Sequence, residues 1–143
     1  GTTVVAAMVL GKTVYVVNVG DSRLYVCKES LTQVTVDHSL VEEMVQSGKL
    51  QKEEMRTHPN KNIITRALGT NPEVKADCFE IEVEEGDVLL LCSDGLSNMM
   101  EDKTMEAIIK KNPEDMEQAA RQLVDEANKA GGKDNISVVL VRI

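Results

Sequence analysis

The first third of the chain alternates apolar runs with short polar breaks, a pattern that predicts β-strands. Residues 2–10 are mostly apolar, which predicts a strand buried on both faces. Thr13–Val19 is rich in β-branched residues and follows a short turn, so we expect these two segments to pair. Two shorter strands are predicted over 24–27 and 33–36. Strands joined by such short turns pair in antiparallel fashion.

The middle of the chain is more polar and predicts a separate lobe over 38–70. Ser39 is suited to be the N-cap of a helix over 40–47, because a glutamate stands at the third helical position. Polar residues and a proline follow, and then a short apolar element over 63–68. We interpret 38–70 as a flap-like lobe within one domain that spans 1–143.

Strand patterns return in the second half of the chain. Residues 75–83 alternate apolar with largely acidic positions, which predicts a strand with one face in the core. Residues 88–92 are all apolar and predict a central strand. A largely apolar segment over 136–143 predicts the last strand.

Two amphipathic helices are predicted between these last two strands. Their apolar residues recur at helical spacing over 102–111 and 113–130, and Asn112 is suited to be the N-cap of the second helix. Strands in a meander together with such helices indicate an α+β fold.

The charge of the chain excludes some classes of partner. Its 143 residues include 24 acidic and 16 basic side chains, which gives a formal net charge of −8. Nucleic acids and anionic membranes are polyanions, so we expect neither as a partner. Two tyrosines and one phenylalanine are the only aromatic residues, too few for a surface that stacks bases. Such an acidic chain suits a protein that gathers carboxylates around cations.

The cysteines and histidines do not predict a metal or disulfide site. Cys27, Cys78 and Cys92 are widely spaced, and we interpret them as free thiols in buried strands, as in a reducing compartment. His38 and His58 have no cysteine or second histidine at ligand spacing, and we interpret both as surface residues. No apolar run reaches the roughly 18 residues of a membrane span and no signal-peptide pattern is visible, so we expect a cytoplasmic protein.

Three aspartates stand at the ends of apolar strands. Asp21 and Asp94 follow predicted strands, and Asp134 precedes the last strand. Taken singly, each has a glycine or asparagine neighbour and is typical of a turn. If the strand ends converge, the three carboxylates would form an acidic hollow that cations must neutralise. Oxygen ligands without histidine or cysteine favour Mg²⁺ or Mn²⁺, and three together favour a metal site.

Several segments in order resemble one family, the metal-dependent protein serine/threonine phosphatases of type 2C in their small bacterial form. The segments are NVGDSR at 18–23, CSDGL at 92–96 and GKDNISV at 132–138, with further similarity at 1–3 and 58–69. The resemblance spans essentially the whole chain. It implies a four-layer α-β-β-α sandwich of two antiparallel sheets with helices outside.

The resemblance also implies an enzyme that hydrolyses phosphoserine and phosphothreonine. In this family two Mg²⁺ or Mn²⁺ ions lower the pKa of a bridging water, which then attacks the phosphorus. The implied substrates are phosphorylated proteins, namely those of a serine/threonine kinase.

The implied metal ligands are the three strand-end aspartates. Asp94 and Asp134 would bind the metal pair directly, and Asp21 together with Asp94 would hold a third, weaker metal. No other catalytic residue is implied within 1–143. The supporting residues would be Gly20, Arg23, Gly95 and Asn135. Asn135 would orient the loop that carries Asp134, and Arg23 is interpreted as an ion-pair partner in preference to a phosphate clamp.

The family pattern also contains features that would lie before Gly1. These are a further acidic pair, an Asp-Gly-x-Gly-Gly segment and a phosphate-binding arginine. The chain thus resembles the C-terminal portion of such a phosphatase, with the N-terminal part of the fold absent. We expect this chain alone to be inactive or nearly so and to self-associate through exposed apolar sheet. The alternative function is a non-catalytic phosphatase-like module that binds or regulates partners.

Overall fold

Seven strands form two antiparallel sheets. The computed structural model describes residues 1–143. The strands are β1 (Val4–Leu10), β2 (Thr13–Val19), β3 (Arg23–Cys27), β4 (Leu31–Gln33), β5 (Asp77–Glu82), β6 (Val88–Cys92) and β7 (Val138–Arg142). The first sheet has the order β1-β2-β5 and the second the order β4-β3-β6-β7, with antiparallel pairing throughout. The predicted α+β class with two antiparallel sheets is confirmed.

Some helices cover the second sheet, and others form part of the lobe. They are α1 (Leu40–Gln46), α2 (Asp94–Ser97), α3 (Asp102–Lys111) and α4 (Met116–Lys129), with a 3₁₀ helix over Lys52–Thr57. The helices α3 and α4 cover the second sheet, whereas the outer face of the first sheet is exposed. The chain therefore contains three layers of the expected four-layer sandwich. No helix is both long and apolar enough to cross a bilayer.

The core has two parts, one on each face of the second sheet. Leu24 of β3 and Leu89 of β6 point toward the first sheet and join a cluster between the two sheets. The alternate residues Tyr25 and Leu90 point the other way and pack with buried side chains of α3 and α4. Because both faces of β6 are covered, its continuous apolar sequence is explained and its predicted central position is confirmed.

The prediction that residues 2–10 are buried on both faces is wrong. The strand β1 is an edge strand that pairs only with β2, and Met8 and Leu10 are 54% and 55% exposed. Their neighbours across the pair, Tyr15 and Thr13, lie on the same outer face. The apolar sequence of β1 therefore forms an exposed apolar face of the first sheet, and no part of this chain packs against that face.

The start of α4 also differs from the prediction. Asn112 ends α3 instead of capping the next helix, and its side-chain amide donates to the carbonyl of Ile108 at 2.9 Å. The N-cap of α4 is Asp115, whose carboxylate accepts from the Gln118 amide at 2.9 Å. Asn112 can cap the end of α3 or the start of α4, so the sequence allowed two starting points for α4. In the structure Asn112 caps α3, and α4 takes the later starting point.

The strand predicted over 33–36 is displaced to Leu31–Gln33. The amides of Val34 and Thr35 both turn toward the carbonyl of Leu24, at 2.9 and 3.4 Å. The Thr35 hydroxyl accepts from the Leu24 amide at 3.1 Å. A threonine side chain thus replaces a backbone partner, and the ladder ends before residue 34.

Within 38–70 the helix prediction is confirmed and the apolar element is reduced to single contacts. The Ser39 hydroxyl accepts from the amide of Glu42 and caps α1. Residues 63–68 form no continuous strand and make only isolated bridges, Ser39 with Ile64 and Thr2 with Leu68. The first bridge joins two segments of the lobe to each other, and the second attaches the lobe to the residues just before β1.

Candidate metal centre

The turn after β2 carries Asp21 and is built around a glycine. Gly20 has φ +112°, and a Cβ there would lie 2.4 Å from the Cγ2 of Thr3, so the position requires glycine. The Thr3 hydroxyl also hydrogen-bonds to that of Ser22 at 3.0 Å. This close contact with the start of the chain fixes the turn, and it places the half-buried Asp21 at the end of the strand.

Asp94 is the first residue of α2, separated by one residue from the end of β6, and its charge acts on the carboxyl of Asp21. Burial, followed by the charges of Asp94 and Asp37, raises the pKa of Asp21 to about 6. Burial and then the charge of Asp134 raise the pKa of Asp94 above its ordinary value, while its interaction with the Asp21 carboxyl opposes the rise. The carboxylates therefore destabilise one another when ionised, a condition that a divalent cation relieves.

Asp134 lies in an exposed loop that packs against α2. Its carboxylate accepts from the Asn135 amide at 2.7 Å. The Ser93 hydroxyl donates to the Asn135 carbonyl at 3.2 Å and accepts from the Ser137 amide at 3.0 Å. A Cβ at Gly95 would lie 2.0 Å from the Asn135 carbonyl oxygen, so a larger residue would push this loop away. Serine and glycine thus hold the two aspartate-bearing segments together.

These aspartates offer carboxylate oxygens, which are the kind of ligand that a hard divalent cation prefers. Their number is too small to complete the ligand shell of such a cation. Asp21 lies beside Asp94, and Asp134 is close enough to Asp94 to raise its pKa. No group of three or more histidine, cysteine, aspartate or glutamate side chains is arranged to hold a metal ion. Because Mg²⁺ and Mn²⁺ require about six oxygen ligands, these three residues would supply only part of the ligands of such an ion.

Arg23 forms the ion pair that we expected. Its guanidinium donates to both carboxylate oxygens of Asp37, at 2.7 to 3.2 Å, and to the Tyr25 hydroxyl at 2.8 Å. The Gln33 amide donates to the same carboxylate at 3.1 Å. Each charged group of the pair is largely buried and has several partners, so the network fixes the strand that leaves the Asp21 turn.

His38 is buried, and its interpretation as a surface residue is wrong. Its side chain is 5% exposed, and both ring nitrogens are bonded, Nδ1 to the Gly20 amide and Nε2 to Asp77. Sequence reasoning missed this contact, because Asp77 lies 39 positions further along the chain. The adjacent Asp37 was missed as well. The only signal was the sequence Asp37-His38-Ser39, three polar residues immediately before a helix.

A cleft with a volume of about 810 Å³ lies between the lobe and the aspartates. Asp21 and Asp94 line it together with Arg56 and Lys61 of the lobe. Arg56 donates to the carbonyls of Ser97, Asn98 and Met100 at 3.0, 3.3 and 2.7 Å. The lobe is therefore attached to the C-terminal end of the same helix whose first residue is Asp94, a contact that no sequence motif indicated.

Two family models match the chain and together cover all of it. The model described as Protein phosphatase 2C matches residues 1–44, and the model described as Stage II sporulation protein E (SpoIIE) matches residues 45–143. The chain belongs to the type 2C protein phosphatase family.

Individual relatives agree with this assignment. A serine/threonine phosphatase stp of Listeria welshimeri is 45% identical over 142 residues, which are 99% of this chain and 56% of that relative. The crystal structure of the Mycobacterium tuberculosis serine/threonine phosphatase PstP/Ppp has a TM-score of 0.93 at 34% identity and covers 99% of this chain and 59% of that one.

A structure of the catalytic domain of PstP in complex with two manganese ions has a TM-score of 0.85 at 34% identity, covering 96% of this chain and 56% of that one. The chain therefore spans a little more than half the length of these relatives.

Proposed function

We propose that the chain is part of a protein serine/threonine phosphatase that uses Mg²⁺ or Mn²⁺ to hydrolyse phosphoserine and phosphothreonine. The observation that carries the proposal is that Asp94, at the start of α2, interacts electrostatically with the carboxylates of both Asp21 and Asp134. Membership of the type 2C family and the likeness to a structure with two manganese ions support it.

The proposed ligands are those predicted from the sequence. Asp94 and Asp134 would hold a metal pair, and Asp21 together with Asp94 would hold a third ion. A bound pair would supply a water of lowered pKa as the nucleophile for phosphoester hydrolysis. Asn135 orients the Asp134 carboxylate through its backbone amide, at 2.7 Å. We propose that ligands outside this chain complete the shell.

We further propose that the lobe over 38–70, within a domain that spans 1–143, borders the path of a protein substrate. The 810 Å³ cleft is open to solvent between the lobe and Asp94, which is where a phosphorylated side chain would enter. The substrates would be proteins phosphorylated by a serine/threonine kinase. All three cysteines are free thiols, which suits a reducing compartment, and we propose a cytoplasmic location. Cys27 and Cys92 are buried as expected, whereas the expectation that Cys78 is buried is wrong, because it lies on an exposed position of β5.

The test uses the complete natural protein and p-nitrophenyl phosphate. We expect hydrolysis only with Mn²⁺ or Mg²⁺, and a loss of at least about 100-fold for Asp94→Asn, because the change removes a charge and an oxygen ligand from a shared site. Asp125→Asn, on the exposed face of α4, is the matched control and should retain full activity. Hydrolysis that persists in excess chelator would contradict the proposal.

A non-catalytic phosphatase-like module is the second candidate. The observation in its favour is that no group of three or more ligand side chains is arranged to hold a metal. A complete protein that binds phosphoprotein but releases no phosphate at saturating Mn²⁺ would establish this function in place of hydrolysis.

A further inference from the structure

The turn that carries Asp21 is held by a buried histidine. The Gly20 amide donates to Nδ1 of His38 at 2.9 Å, and the His38 amide donates to the Gly20 carbonyl at 2.9 Å. The Asn18 side-chain amide also approaches that carbonyl, at 3.4 Å. Both polar groups of the Gly20 backbone are therefore bonded, immediately before Asp21, whose carboxyl is influenced by the charge of Asp94.

The hydrogen bonds fix the proton on the His38 ring. A backbone amide can only donate, so Nδ1 must offer a lone pair to Gly20. The ring proton then lies on Nε2 and is donated to Asp77 at 2.8 Å. A doubly protonated ring would place an N–H against the Gly20 amide, and the opposite tautomer would do the same. Only the neutral ring with its proton on Nε2 satisfies both neighbours.

Asp77 is in turn held by a cation. Arg66 donates to the other carboxylate oxygen of Asp77 at 3.1 Å and to the Lys75 carbonyl at 3.1 Å. The hydrogen bond from His38, aided by Arg66, holds the pKa of Asp77 below its ordinary value. Asp77 therefore stays an acceptor for the ring at neutral pH. The result is a continuous chain of hydrogen bonds from Arg66 through Asp77 and His38 to Gly20.

We propose that His38 is a positioning residue for the metal centre: its ring holds the Gly20 amide and so fixes the direction of the adjacent Asp21 carboxylate, while Asp77 and Arg66 hold the ring. This inference rests on the proposed function, because it gives Asp21 the role of a metal ligand. Partners of this kind, one step behind the ligands, typically change metal affinity about 10- to 100-fold when they are removed.

Two variants separate positioning from packing. In His38→Asn the side-chain oxygen can take the place of Nδ1 and accept from Gly20, but the contact with Asp77 is lost. In His38→Gln the longer amide can take the place of Nε2 and donate to Asp77, but Gly20 loses its acceptor. Both variants replace the same buried ring by a side-chain amide. A purely structural role therefore predicts that they lower the thermal midpoint by similar amounts and that neither binds Mn²⁺ more tightly than the other.

The experiment measures Mn²⁺ dissociation constants of the complete natural protein from the electron paramagnetic resonance signal of free Mn²⁺, with thermal midpoints recorded in parallel. We expect His38→Gln to bind Mn²⁺ about 10-fold more weakly than wild type, and His38→Asn to remain within about 3-fold. If both variants unfold, the comparison is made with Asp77→Ala, which removes the acceptor for the ring, and Asp77→Asn, which keeps one. We then expect the weaker binding in Asp77→Ala.

The outcomes distinguish the two proposals. Equal Mn²⁺ affinity of wild type and Asp94→Asn, or no detectable binding by wild type, would overturn the proposed metal centre and with it the role of His38. Equal affinities within the variant pair, with the Asp94→Asn loss intact, would overturn the positioning role alone. A better affinity for His38→Gln than for His38→Asn would overturn it as well.

Discussion

Asp21 shows how burial and charge act on a single side chain. Its carboxyl is half-buried beside two others, and its pKa is raised from 3.8 to about 6. The ionised form is therefore less favourable in the folded chain than in the unfolded one. The stability associated with the protonated group is fully present below about pH 4 and is lost as the pH rises through about 6.

We expect Asp21→Asn to stabilise the chain at pH 7 in the presence of a chelator, because the amide carries no charge. After allowance for the solvent that reaches this carboxyl, the gain should be about 1 kcal/mol. It should disappear near pH 4, where wild-type Asp21 is protonated. Urea unfolding at the two pH values measures the difference, with Asp125→Asn as the control. A gain of equal size at both pH values would contradict this account.

The sequence alone was sufficient to identify the candidate aspartates but not the residues that hold them in position, such as His38. Asp21, Asp94 and Asp134 stand out because each lies at the end of an apolar strand beside glycine or asparagine. Whether they ligate a metal stays a prediction. His38 gave no comparable signal, because its partners are Gly20, in the turn after β2, and Asp77, in the distant strand β5. A buried histidine is recognised by the donors and acceptors around it, and these are set by the fold.

At the scale of elements, local pattern located the strands and helices, and tertiary contacts set their limits. The predicted helix over 102–111 agrees with α3. The neighbouring α4 begins later than predicted, because Asn112 bonds back to α3 and Asp115 caps α4. The strand predicted over 33–36 ends early, because the Thr35 hydroxyl bonds to the backbone of Leu24. A side chain such as that of Asn112 or Thr35 can bond to more than one backbone segment. Which bond forms depends on tertiary neighbours that the spacing of residues in the sequence does not reveal.

Arg56 and Asn62 join the lobe to the end of α2, and the arginine contact can be tested. Arg56 bonds to three carbonyls at the end of α2. We expect Arg56→Ala to expose the lobe and to speed trypsin cleavage after Lys49 and Lys52 at least about 5-fold, because local opening costs less free energy once these bonds are gone.

Fragment masses identify the sites that trypsin cleaves in the lobe. Arg121→Ala, which removes an exposed arginine of α4, is the matched control and should leave the cleavage rate in the lobe unchanged. Equal cleavage of wild type and Arg56→Ala would show that other contacts hold the lobe.

At the scale of the whole molecule, the outer face of the first sheet determines how the chain behaves in solution. Met8 and Leu10 of β1 and Tyr15 and Val17 of β2 are exposed side by side, and β1 has an unpaired edge. An apolar face with a free strand edge favours pairing with a second copy of the same chain.

We expect this chain alone to be a dimer or larger at micromolar concentration, and to have little or no phosphatase activity. Light scattering with size exclusion measures the mass. Replacing Leu10 and Tyr15 by lysine should restore the monomer, whereas replacing the exposed Lys129 and Lys133 by glutamate should not. A monomeric wild-type chain with substantial Mn²⁺-dependent turnover would contradict both the ligand count and the proposed self-association.

The order of the strands also governs when the centre can form during synthesis. The pairs β2 with β5 and β3 with β6 join residues that are far apart in the chain, so their closure is slow compared with the formation of the helices. The loop of Asp134 docks on Ser93 only when β7 pairs with β6. On the ribosome, Asp94 and Asp134 therefore come together only after β7 has emerged from the exit tunnel, so a nascent chain gathers its carboxylates after both sheets have been synthesised.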